Sequence, residues 1–198
     1  MAARFVSSFV LAAVLSRSAL IAQPLPVPSQ SELARRLENR DTRAAAIRQI
    51  DGQRAVLMPV LLSVADEAVS SPGNEELRLG LIEAFAHLKA VEGVPFLIRN
   101  MRLAQWRDLN PWMKGAAAIR NQYPALNALI GIGAPACRAL TEALDRPMVP
   151  DDQVAAIFVI AQVGSPGDAT FLRAMRFQAM LVNMWSKDGL DRMSGARP

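Results

Sequence analysis

The chain holds one cysteine and one histidine among 198 residues, and these two scarcities remove most familiar catalytic and metal chemistries. Nucleophilic catalysis wants a Ser, Cys or Thr beside a base, and His87 is the only imidazole on offer. A tight zinc site wants several Cys or His ligands, so no metal is expected, and no other cofactor. Cys137 has no mate for an internal disulfide and stands in an Ala- and Leu-rich stretch; buried packing is the expectation, an intermolecular bridge the minor reading. Aromatic residues are only 6%, and alternating Val, Thr and Tyr runs closed by Asn-Gly turns are missing, which argues against a sheet protein. A large excess of either charge is missing too. The 22 basic and 18 acidic residues leave +4, too little for a chain built to neutralise many phosphates, so nucleic acid is not the expected partner.

What is present is aliphatic. Hydrophobic residues reach 52%, and most are helix-compatible Ala, Leu and Met or neutral Ile and Val, which predicts a single all-α domain. The first 22 residues stand apart: Arg4 supplies a positive start, residues 5–16 an apolar run, and Ala19 and Ala22 small residues ahead of Gln23 and Pro24. This is the pattern of a secretory signal peptide, so the expected location is periplasmic or secreted. Arg17 interrupts the run short of the roughly 20 apolar residues that a membrane span needs. Leu20, three residues before the cleavage point, is larger than usual there and keeps an inner-membrane anchor as the alternative. Loss of Arg4 and Arg17 with the leader leaves 20 basic against 18 acidic residues.

Residues 23–30, with Pro24, Pro26 and Pro28, read as an extended linker. A helical domain over 31–185 and a polar, fraying tail over 186–198 follow. Residues 31–39, with Leu33 and Leu37 on one face, are expected to cap the front of that domain, and residues 171–185 the back. Between them four segments repeat one grammar of polar cap, amphipathic helix, short turn and second helix. In the first, Asp41 caps a helix carrying Ala46, Ile47 and Ile50, and Asp51 and Gly52 turn into residues 56–64. In the second, Asn74 caps a helix whose Leu77, Leu81, Phe85 and Leu88 share a face, with Glu75 and Glu76 at its positive end and Pro95 opening the next helix. The third runs over 125–133 and 134–140. The fourth opens at Asp151 and Asp152, buries Val154, Ile157, Phe158 and Ala161, and turns at 164–167. Leu88, Ile132 and Val163, the last apolar residue before each turn, are 44 and 31 residues apart.

The pattern of Asn74, Glu75, Glu76, Leu77 and Arg78, then Ala84, Phe85 and Ala86, then residues 94–98 resembles a HEAT or HEAT-like repeat. So does the pattern of residues 128–133 followed by Pro135, and the likeness extends over residues 31–177. That resemblance implies a short right-handed α-solenoid of about four helix pairs, and a non-enzymatic protein–protein interaction scaffold whose partner is an unidentified protein. Some members of that family are lyases or glycosylases, which leaves a lyase or hydrolase accessory enzyme as the alternative.

One segment departs from the grammar. Residues 99–123 hold Arg99, Arg102, Arg107, Lys114 and Arg120 against one acid, Asp108, with Trp106, Trp112 and Tyr123 interleaved. Arg and Trp are favoured where interfaces concentrate their energy, so Arg102, Trp106, Arg107, Trp112, Lys114 and Arg120 are the candidate binding residues. Such a patch suits an acidic protein, with an anionic glycan, a lipid headgroup or nucleic acid as the second alternative. The plainer reading of the same residues is an insertion helix, starting at Asn110 and Pro111, whose tryptophans pack inward. The arginines over 35–54 are interrupted by Glu38, Asp41 and Asp51 and are expected on a solvated face, and His87 at a helix end.

Overall fold

Asn39 ends one helix and begins the next. It is the last cap of α1 (Gln30–Glu38), donating its backbone N–H to the Arg35 carbonyl, and its side chain accepts from the Asp41 N–H at 2.8 Å to open α2 (Arg40–Gly52). The cap of α2 is therefore Asn39 and not Asp41, because only the residue outside the first turn can turn its side chain back onto the free amides. The computed structural model describes residues 26–71, 73–106 and 115–164. The leader, residues 23–25 of the linker, the start at Asn110 and Pro111, the turn after Gly164, the expected back cap and the tail all lie outside the described residues.

The described residues form helices and no strand: α1 and α2, then α3 (Arg54–Ser70), α4 (Glu75–Leu88), α5 (Val94–Arg99), α6 (Ala116–Gln122), α7 (Pro124–Ile132), α8 (Ala134–Leu144) and α9 (Pro150–Val163). The all-α expectation holds. In α4 the Asn74 side chain accepts from the Leu77 N–H, and Leu77, Leu81, Phe85 and Leu88 are all buried. Lys89 takes the left-handed conformation, so that the Ala90 N–H reaches back to the Phe85 carbonyl and closes the helix. Phe85 then meets Phe96 of α5 with ring centroids 5.6 Å apart. Between α7 and α8 stands a single residue, Gly133, whose φ of 81° a side chain would resist.

Helix contacts follow a regular order. α1 packs on α4, α4 on α7 and α7 on α9, while α3 packs on α5 and α5 on α8. One continuous apolar core runs through all of them, from Leu33 and Leu37 to Val159 and Ile160. In α9 the buried residues are Ala155, Ala156, Val159 and Ile160, whereas Val154 and Ala161 are exposed and Ile157 and Phe158 half-buried. The inward face is thus displaced from the one expected, to two alanines followed by Val159 and Ile160.

Arg35, Arg40, Arg48 and Arg54 lie exposed, as expected of a solvated face, but Arg43 departs from it. It is 9% exposed. Its Nε donates to the Leu37 carbonyl at 2.7 Å, and Nη2 to the carbonyls of Glu38 and Glu76, both at 3.1 Å. The last four carbonyls of any helix lack partners within it. Here Asn39 N–H satisfies Arg35, Thr42 Oγ1 satisfies Arg36 at 2.9 Å, and Arg43 satisfies Leu37 and Glu38. Burial of the guanidinium follows from that need.

The Glu76 carboxylate closes this junction, bonded to Arg40 and, at 3.2 Å, to Arg43. The hydrogen bond from Arg40 first, and that from Arg43 with the charge of both, hold its carboxyl below the ordinary value of 4.5 against the opposing effect of partial burial. A depressed folded-state value means stabilisation that is complete above about pH 4.5 and lost as pH falls through the folded value. Thermal melts of Glu76→Gln should therefore lie below wild type by a constant, small margin from pH 7 to 5, and that margin should shrink toward zero in more acid buffer. A margin that grows on acidification would refute this role.

Candidate functional site

The chain leaves α5 through two tight turns and reaches Trp106. Asn100 is buried and spends its side-chain N–H on the Phe96 carbonyl at 2.8 Å, which fixes the exit. Met101 beside it is 2% exposed. At the far end of the departing segment the Gln105 N–H donates to the Gln122 carbonyl at 3.0 Å, tying residues 99–106 to the end of α6. Trp106 stands next to that tie, and half of its surface is open to solvent, the largest of the exposed apolar side chains among the described residues.

Of the six candidate binding residues, the structure describes three. Arg107, Trp112 and Lys114 lie outside the described residues. Arg120 is half-buried on α6. Arg102 reaches across to the first turn of α9, its Nε 2.8 Å from Asp152 and its Nη1 3.0 Å from Asp151. Those two carboxylates sit where Pro150 opens α9 without any side-chain cap, so they complement both the helix end and the arginine. Within residues 99–123 the sequence shows one acid; folding adds two more from 49 and 50 positions away.

Behind the ion pair lies a cavity of about 200 Å³. Met101, Leu126, Val154 and Ala155 give it an apolar lining, Tyr123 adds a ring bearing a hydroxyl, and the well-exposed Arg102 and Asp151 stand at its rim. Tyr123 and Leu126 come from the start of α7, Val154 and Ala155 from α9, so the cavity sits where three stretches of chain converge. Sequence reading missed Leu126, Asp151 and Val154 as site residues, because each reads locally as helix core or helix start. A larger depression of about 750 Å³ lies between α1, the end of α3 and the start of α4. Several of its polar groups are engaged within the chain: Gln30 with Glu67 at 2.9 Å and with Ser63 at 3.1 Å, and Arg35 with Glu32.

His87 is exposed, its Nε2 3.9 Å from Asp51. Cys137 is buried in α8, as expected. Among the described residues no group of three or more His, Cys, Asp and Glu side chains could hold a metal ion, and no described helix is long and apolar enough to cross a membrane.

Comparison with protein-family models, with curated proteins and with solved structures finds no match for this chain.

Proposed function

We propose that this chain is an exported, non-enzymatic protein of HEAT-like helix pairs, stacked as a short right-handed solenoid of about four, that serves as a protein–protein interaction scaffold. The observation that carries the reading is the order of helix contacts: α1 to α4 to α7 to α9 on one side, and α3 to α5 to α8 on the other. In a stack of pairs each unit touches only the next, since one pair cannot cover its own apolar face but a row of pairs can. On this reading α1 and α3, α4 and α5, and α7 and α8 are successive pairs, α2 joins α1 to α3, and α9 opens the fourth; α1, expected as a front cap, takes the place of a pair's first helix. The half-exposed Trp106, held on a segment outside the pairs, is the anchor offered to a partner.

A photo-crosslinking residue placed at 106 tests the proposal in a bacterial host that expresses the full chain with its leader. Discrete adducts are expected from position 106 and none from Glu142, an exposed site on α8, and the recovered chain should begin at Gln23. Equal adducts from both positions, or none from 106, would overturn the scaffold reading; an intact leader on the recovered chain would overturn export.

A further inference from the structure

We infer that the cavity behind Arg102 receives a lysine side chain of the partner, an aliphatic stem ending in an ammonium group, and not an acidic group. The inference rests on the scaffold reading above and names the chemistry that its site would recognise.

Size comes first. Pockets that bury whole small ligands run from about 300 to 1,000 Å³, and this one offers about 200 Å³. One long side chain fits; a cofactor does not. Shape and polarity come next. Met101, Leu126 and Val154 give an apolar wall, while the polar groups of Arg102 and Asp151 stand at the rim, so the occupant must be apolar along its length and polar at its end.

Charge then decides the sign of that end. Residues 99–123 read alone are basic and suit an acidic partner. Folding brings Asp151 and Asp152 onto Arg102 at 3.0 and 2.8 Å, so the one cation that lines the cavity is already engaged by two carboxylates. An ionised carboxylate accepts at about four lone-pair positions, and Arg102 takes one at Asp151. Asp151 is also the most exposed member of the trio. An arriving carboxylate would meet two like charges, whereas an ammonium would meet an acceptor with capacity to spare. Val154, half of whose surface is open beside the rim, would be covered by the stem on binding.

Hexylammonium imitates such a side chain, and hexanoate is its counterpart of opposite charge. In methyl spectra of the full chain, hexylammonium should move the Met101, Leu126 and Val154 signals saturably, and hexanoate should bind at least about tenfold more weakly. Asp151→Asn should weaken hexylammonium about tenfold, the scale of one charge-assisted hydrogen bond, while Asp145→Asn, an exposed carboxylate ending α8, should leave it unchanged. Hexanoate binding as tightly as hexylammonium, unmoved methyl signals, or indifference to Asp151→Asn would each overturn the assignment. Cross-linking from position 106 would survive all three outcomes, so failure here is distinct from failure of the scaffold reading.

Discussion

Arg43→Ala is expected to destabilise the protein by about 3 kcal/mol. The guanidinium satisfies the carbonyls of Leu37, Glu38 and Glu76 from a buried position, and alanine would leave them without that donor. An unsatisfied buried polar group costs about 1–3 kcal/mol. The Glu76 carboxylate is 41% exposed and can be rehydrated, so the penalty for a stranded buried charge does not apply in full. Against a domain stability of about 5–15 kcal/mol, the loss would be plain as a lowered urea midpoint at unchanged slope. Arg43→Lys should recover less than half of it, because one ammonium on a flexible stem cannot span acceptors belonging to both α1 and α4 as a planar fork does. A loss under about 1 kcal/mol for the alanine variant would mean that water replaces the guanidinium and that the junction of α1, α2 and α4 is looser than described.

Gly80→Ala should cost about 2–3 kcal/mol, although helix propensity by itself predicts a gain of about 1 kcal/mol. Gly80 lies mid-helix in α4, and a Cβ there would fall 2.2 Å from the Leu37 carbonyl oxygen and 3.0 Å from Arg43 Nε. The obstacle is backbone, so α1 itself would have to withdraw, stretching the 2.7 Å bond from Arg43 to that same oxygen. Gly131→Ala is the control: Gly131 is exposed on α7, nothing lies within 4 Å of its added Cβ, and the variant should be neutral or more stable. If both alanines stabilise, the close approach of α1 to α4 is not a property of the molecule in solution. Since the Cβ position of Gly80 and the Nε of Arg43 both meet the Leu37 carbonyl oxygen, the double variant should fall short of the sum of the singles.

Much of the local architecture was legible from residue to residue. Asn74 ahead of two glutamates, with leucines and a phenylalanine at helical spacing, specified α4 together with its buried face. Pro95 and Gly133 marked a helix start and a break for reasons confined to their own backbone. The front helix with Leu33 and Leu37 inward was equally plain. In α9 the pattern was ambiguous: residues 154–161 are apolar at every position, and both 154/157/158/161 and 155/156/159/160 trace a helical stripe. Periodicity cannot choose between two stripes on a nearly uniform helix; the neighbours that must approach it can.

The candidate site shows the same division. Trp106 was singled out by type and setting, and the structure leaves it half open to solvent. Arg102 was singled out as a cation, and its electrostatic meaning changed once Asp151 and Asp152 arrived from the first turn of α9.

By itself the sequence determined that this chain is helical, where most of its described helices start and stop, and which side of α4 turns inward. Those outcomes depend on groups within a few residues of one another. Tertiary structure alone decided that Arg43 is buried, that Gly80 must lack a side chain, and that Arg102 is paired with two carboxylates. Each of these depends on which distant carbonyls and carboxylates are brought within hydrogen-bond reach, and no short window of sequence contains that information.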